Sequence, residues 1–116
     1  GTCVRDFVHV MDIARAHAVV LQDRKKPVQQ SLNIGSGNGY SVAQLVHHLQ
    51  SAMGKEQAIQ YKQRRPGDPA RLVADTQQFR TAYNWKPKYS DLNHIVSTAI
   101  SWELLRQQRN QLGRVA

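Results

Sequence analysis

Ser31-Leu32-Asn33-Ile34-Gly35-Ser36-Gly37-Asn38-Gly39-Tyr40-Ser41-Val42-Ala43-Gln44 is the stretch on which the fold class turns. Its first five residues predict a short strand, and glycines at 35, 37 and 39 break it with a turn. Ser41 is placed to cap a helix, with Gln44 three residues later completing a capping box. Val42, Leu45, Val46, Leu49 and Met53 form the apolar stripe of that helix, and Gly54 stops it. Strand, glycine turn and capped helix in succession point to an α/β protein.

The flanks repeat the mixture. Val4-Arg5-Asp6-Phe7-Val8-His9-Val10 alternates, placing Val4, Val8 and Val10 on one side of a strand and Arg5, Phe7 and His9 on the other. Asp12 is expected to open a helix with Ile13, Ala16, Val20 and Leu21 on its apolar side, and Pro27 to close its basic tail Arg24-Lys25-Lys26. Ile59 and Tyr61 mark another short strand. Arg64-Arg65-Pro66-Gly67-Asp68-Pro69 follows, where prolines and glycine forbid regular structure. Leu72-Val73-Ala74 is extended, and Asp75 caps a short helix carrying Phe79, Ala82 and Tyr83 that ends at Trp85 and Pro87. Ser90 caps the last helix, with Leu92, Ile95, Val96, Ala99 and Trp102 inward. Beyond Leu105 the pattern dissolves, and about the last ten residues are expected to fray. Three or four short strands among four helices make a mixed α/β domain with too little sheet to be self-sufficient.

At 116 residues the chain suits one domain, and 41% apolar content argues against wholesale disorder. No apolar run reaches membrane-spanning length. A single cysteine, Cys3, cannot close an internal disulfide, which favours a reduced, cytoplasmic setting. The chain starts Gly1-Thr2-Cys3 and enters a strand-like segment at once, so it reads as a piece of something longer. A net charge of +8 predicts attraction to an anion: nucleic acid, a phosphorylated small molecule or an acidic surface. Few aromatics and basic residues scattered over several elements weaken the reading as a basic nucleic-acid-binding module.

Candidate chemistry is sparse. His9, His17, His47, His48 and His94 lack metal-ligand spacing, and no metal site is expected. The glycine turn could face a phosphate at the helix N-terminus, but Tyr40 stands where the third glycine of a dinucleotide fingerprint belongs, and a plain tight turn is the simpler reading. The arginines say more. Arg5, mid-strand, and Arg64-Arg65, in a rigid loop, could clamp a diphosphate from two sides while Asp68 accepts hydrogen bonds from a ribose. The alternative is that Arg5 pairs with Asp68 or Asp6 while Arg64 is solvated.

Read together, four blocks resemble the UDP-glucose 4-epimerases of the NAD-dependent epimerase/dehydratase family. Residues 1–12 are similar to that group's GTxVRDYIHVxD segment, and 32–42 to its glycine-turn strand and helix start. Residues 64–75 are similar to RRPGDPAxLVAD, and Asn84-Trp85-Lys86-Pro87 to the GWKPKY turn, with Asn84 replacing glycine. The order and spacing agree across nearly the whole chain. The resemblance implies the carboxy-terminal part of an extended short-chain dehydrogenase (Rossmann-type) fold, over residues 1–116, holding a nucleotide sugar beside an amino-terminal Rossmann domain that binds NAD. It implies that Arg5 and Arg65 contact a UDP diphosphate, that Asp68 holds the ribose and that Val42 lies against the nucleotide. Phe7 takes the place of the usual tyrosine near the phosphates. Leu72 stands where some members carry a tyrosine beside the hexose, so the sugar preference is open, with a related dehydratase or epimerase as the alternative.

The same resemblance implies that the reacting parts lie elsewhere. In the family a tyrosine base, with a lysine four residues on, oxidises the sugar transiently with NAD and returns the hydride to the other face. Four residues after Tyr40, Tyr61, Tyr83 and Tyr89 stand Gln44, Arg65, Pro87 and Asn93. No catalytic residue is expected here, nor tight binding of NAD by this chain alone. Apolar surface left without the Rossmann domain is expected to promote self-association.

Overall fold

Only the first half of the alternating amino-terminal segment keeps strand geometry. In the computed structural model, which describes residues 1–23 and 31–112, β1 covers Val4–Asp6. His9 then turns the chain: it has extended backbone angles, and its Nδ1 accepts the Met11 N–H at 3.1 Å. The helix α1 (Val10–Gln22) therefore starts before Asp12, the expected cap, and Val10 is a solvent-exposed helical residue. The reading of a strand through residue 10 is corrected by that capping bond.

Asp12 is freed from capping and is fully buried. Its carboxylate accepts the N–H groups of Lys88 and Tyr89 and the hydroxyl of Ser90, each at 2.8 Å, and the Arg15 guanidinium at 2.9 Å. Ser90 Oγ in turn accepts the His9 N–H at 3.0 Å, so Ser90 does not cap the last helix. Asp91 does, accepting the N–H groups of Asn93 and His94 at the start of α4 (Leu92–Leu112).

The sheet has three strands in the order β2-β1-β3. Gly39–Ser41 form β2, antiparallel to β1, with Arg5 opposite Tyr40 and Asp6 opposite Gly39. Arg71–Leu72 form β3, parallel to β1, with Val4 opposite Arg71 and Arg5 opposite Leu72. The strands expected at 31–35 and around Ile59 and Tyr61 are not formed. Alternation records which side chains are covered, not whether a neighbouring backbone supplies hydrogen bonds. Leu32 and Ile34 do pack on the core, while Ile59 and Tyr61 are exposed.

The helix α2 (Val42–Met53) follows the sequence closely. Ser41 Oγ accepts the Gln44 N–H at 3.1 Å, Gln44 Oε1 accepts the Ser41 N–H at 2.7 Å, and Gly54 ends the helix at φ 61°. Val42, Leu45, Val46 and Leu49 are half-buried, whereas Met53, in the last turn, is exposed.

Ala16 of α1, Phe79 of α3 (Gln77–Tyr83) and Trp85 form the core, with Val19, Val20, Leu32, Ile34 and Tyr83 around it. Phe79 and Trp85 meet edge to face, 5.4 Å between centroids. Leu21 is 81% exposed, because one helical step rotates it about 100° from Val20. Asp75 does not cap α3 directly; Thr76 holds the cap position, while Asp75 accepts the Gln77 N–H at 3.1 Å. Ala82 on this helix is exposed, not inward.

Leu92 and Val96 are the buried residues of α4, with Ile95 half-buried, but Ala99 and Trp102 face solvent. The helix nevertheless runs on past Leu105, against the expected fraying. Glu103 accepts two hydrogen bonds from Arg106 and one from Gln107, and the Arg-Gln-Leu composition favours helix. Residues 113–116 and the basic segment closed by Pro27 lie outside the described residues.

Asn84 ends α3 in the left-handed region at φ 46°. Asn84→Gly should leave the urea midpoint unchanged or raise it slightly. Asn84→Val should lower stability by about 1–2 kcal/mol, because a β-branched residue resists that conformation.

Candidate functional site

The loop before β3 is built by two residues with special backbones. Pro66 presets its own φ, and Gly67 adopts φ 80°, so Arg65-Pro66-Gly67-Asp68 closes as a type II turn with Asp68 N–H on Arg65 O at 3.2 Å. The turn puts Arg65 and Asp68 on the same side, with Nη2 of Arg65 3.9 Å from Oδ2 of Asp68. Ala70 O then accepts the Val4 N–H at 2.9 Å, and β3 runs beside β1. Arg5 arrives next to the loop: its Nη2 donates to Asp68 Oδ1 at 2.6 Å and its Nη1 to Pro69 O at 3.0 Å and Val4 O at 2.7 Å.

Asp68 thus gathers two arginines from separate elements, one on each oxygen. Arg5 is three-quarters covered, while the Arg65 side chain is 87% exposed and presents its fork to solvent. The pairing of Arg5 with Asp68, one of the open alternatives, is the one observed, and it is compatible with a clamp because guanidinium donors remain. Partly exposed pairs of this kind contribute about 1 kcal/mol or less to stability, so the cluster is not explained as a structural rivet.

Two shallow clefts meet beside this cluster. One, about 330 Å³, is lined by Cys3, Lys62, Arg64, Arg65 and Asp68 among others. The second, about 340 Å³, is lined by Val42, Val46, His47, Ile59 and Tyr61, and shares Gly1 and Lys62 with the first. One end of the pair is basic and the other carries apolar and aromatic walls. Val42 reaches its place because its N–H bonds Cys3 O at 3.1 Å. Of the five residues expected at a site, Arg5, Arg65 and Asp68 are together, and Val42 lines the adjoining cleft. Phe7 is half-buried beyond the end of β1 and lines neither. Lys62, not singled out by the sequence, sits where the clefts join. A further cleft, about 790 Å³ between Ser31-Leu32 and α3, is lined by no lysine or arginine among the described residues.

The glycine turn does not offer its N–H groups to a ligand. The Ser36 and Gly37 N–H groups donate to the Asp6 carboxylate at 2.8 and 3.0 Å, joined by the Ser36 hydroxyl and by the Ala74 N–H at 3.2 Å. β2 also stands between the turn and α2. The tight-turn reading holds, and the turn's N–H groups, already taken by Asp6, do not fit a dinucleotide cradle. Asp6, the other partner weighed for Arg5, does not pair with it and instead holds the glycine turn and Ala74. Among the described residues no three His, Cys, Asp or Glu side chains gather as a metal site, and no helix is long and apolar enough to cross a membrane.

Residues 1–98 match the family model described as GDP-mannose 4,6 dehydratase. A UDP-glucose 4-epimerase of Azospirillum brasilense is 40% identical over 115 residues, covering 97% of this chain and 33% of the relative. The structure of a UDP-glucose 4-epimerase from Bifidobacterium longum in complex with NAD+ and UDP matches with TM-score 0.80 at 31% identity, covering 89% of this chain and 30% of that one. One from Stenotrophomonas maltophila, with bound NAD and formylated UDP-arabinopyranose, matches with TM-score 0.83 at 31% identity over 93% of this chain and 32% of that one. The chain spans about a third of the length of the curated relatives it matches.

Proposed function

The chain belongs to the NAD-dependent nucleotide-sugar epimerase and dehydratase family, and from that premise we propose that it is the carboxy-terminal, UDP-sugar-binding region of a UDP-glucose 4-epimerase. The observation that carries this reading is the pair of arginines brought onto Asp68 from two elements. Arg5 and Arg65 bind the diphosphate oxygens of UDP, where charge-assisted bonds contribute about 1.5–3 kcal/mol each. Asp68 also accepts from the ribose, and Val42 packs against the nucleotide in the adjoining cleft. Phe7 supplies apolar bulk near the phosphates, without the hydroxyl that the family's tyrosine would bring.

The complete enzyme interconverts the C4 epimers of a UDP-hexose by transient oxidation. Bound by the Rossmann domain of the complete enzyme, NAD would serve as the hydride acceptor. The residues described here hold and orient the nucleotide and perform no proton or hydride step; no Tyr-x-x-x-Lys pair exists in the chain. Alone, the chain is expected to self-associate through apolar surface such as Val10, Met11 and Trp102, all more than half exposed.

Isothermal titration of the chain with UDP, with NAD and a short DNA duplex as controls, tests the reading. UDP should bind at one to one and NAD should not. Arg65→Ala should weaken UDP by at least about tenfold, or 1.4 kcal/mol. Equal affinity for UDP in the wild-type chain and Arg65→Ala would refute the clamp. Affinity for DNA alone, collapsing in salt, would favour a basic module instead.

A further inference from the structure

The ladder between β1 and β3 is two residue pairs long, Val4 with Arg71 and Arg5 with Leu72. That is short for something that must set where the Arg65-Asp68 turn stands relative to Arg5. The loop side of the ladder is anchored by Arg5 itself, through Asp68 and Pro69 O. The far side is anchored by Asp6, whose Oδ2 accepts the Ala74 N–H two residues beyond β3. A side-chain carboxylate there takes a backbone donor that a longer ladder would have used.

The same carboxylate is itself held. Its two oxygens also accept Ser36 N–H, Ser36 Oγ–H and Gly37 N–H, so the turn at 35–37 locks the side chain in one orientation. Arg80 holds that turn from its other side, donating to Ser36 O at 2.8 Å. Arg5 and Asp6 are consecutive strand residues and point to opposite faces, so one face carries the clamp and the other carries its anchor.

We propose that Asp6 is a positioning residue for the UDP clamp: by tying Ala74 and the glycine turn to β1, it fixes the register that brings Arg65 and Asp68 to Arg5. This rests on the UDP reading above. Asp6 touches no ligand and acts only through Arg5 and the loop. A residue that merely stabilised the fold would weaken binding equally whether or not Arg5 is present; a positioning residue would not.

The test uses the 116-residue chain and Asp6→Asn, which keeps the shape but turns an amide N–H₂ toward backbone donors. UDP affinity should fall about tenfold in Asp6→Asn and fall no further when the change is added to Arg5→Ala. Equal, additive losses in both backgrounds would overturn the proposal. Exchange of the Arg5 Nη–H protons, which make the bonds to Asp68 and Pro69 O, measured by NMR without ligand, separates the two readings. It should quicken in Asp6→Asn as the Asp68 pair loosens. If the wild-type chain binds no UDP, the functional reading fails, and quickened Arg5 exchange still supports the positioning role while unchanged exchange overturns it. Should Asp6→Asn not fold, Ser36→Ala, which removes the hydroxyl's contacts with Asp6 and the Asn38 backbone but leaves the Ser36, Gly37 and Ala74 N–H bonds on Asp6, should shift both readouts in the same direction by a smaller factor; no shift in either would overturn it.

Discussion

Asp12→Ala should destabilise the chain by about 3–5 kcal/mol, read as a lowered urea midpoint with unchanged slope. The carboxylate is fully buried and receives the Lys88 and Tyr89 N–H groups, the Ser90 hydroxyl and the Arg15 guanidinium. Truncation strands these donors, and each buried donor without a partner costs about 1–3 kcal/mol. A loss under about 1 kcal/mol would mean that water replaces the carboxylate at little cost. Burial on its own would raise the Asp12 pKa, but the hydrogen bonds from Lys88, Ser90, Tyr89 and Arg15 outweigh it, leaving the carboxyl below its ordinary 3.8. The unfolded chain therefore takes up the proton first as acid is added. Asp12's contribution is complete above about pH 5 and is lost as pH falls through the depressed native value. Asp12→Asn should flatten the acid limb of the stability–pH curve while lowering its plateau.

Gly35→Ala should cost about 2–4 kcal/mol, for want of space. A Cβ at that position would lie 2.6 Å from Asp6 Oδ2 and 2.8 Å from the Cβ of Ala74. Neither neighbour can swing away, because that oxygen is held by the Gly37 and Ala74 N–H groups. Gly54 makes the contrast: a Cβ there meets nothing within 4 Å, so Gly54→Ala should show only the strain of φ 61°, about 1 kcal/mol. Thermal melts of the two variants side by side separate crowding from backbone conformation, and comparable losses in both would count against crowding at Gly35.

Much of this was legible from local pattern. The capping box at Ser41 and Gln44, the stop at Gly54 and the helix bearing Phe79 all depend on residues within a turn or two of one another, which is what sequence rules measure. The misreadings share a different cause. Asp12 and Ser90 look like helix caps by the same rules, yet each finds its partners across the fold, and His9 and Asp91 take the capping roles. Residues 31–35 have the alternation of a strand but no ladder partner among the described residues, whereas Gly39-Tyr40-Ser41, read as turn and cap, is bonded to β1. Trp102 continues the helical period of Leu92 and Val96 but lies beyond the surface that covers them. At the candidate site, Arg5 and Asp68 could be weighed as a pair because both are charged and few alternatives existed. Asp6 was weighed only as an alternative partner of Arg5, because its actual partners, three backbone N–H groups and the Ser36 hydroxyl, are displayed by no sequence pattern.

The two carboxylates that organise the amino-terminal end draw their donors from far along the chain: Ala74 for Asp6, and Lys88 to Ser90, 76 to 78 positions away, for Asp12. The central strand of the sheet is made first and completed last. On a ribosome, β1 can pair with β2 once residue 41 has emerged, but its other edge stays open until residues 71–72 emerge, and the Asp12 carboxylate lacks its distant donors until residues 88–90 do. Helix α2 can form meanwhile from its own caps, but the sheet cannot close before residue 72, nor the Asp12 joint before residue 90. Translation that stalls short of that point presents the cell with a capped helix and an open strand edge, the form in which a nascent chain is most exposed to mispairing and to holding chaperones.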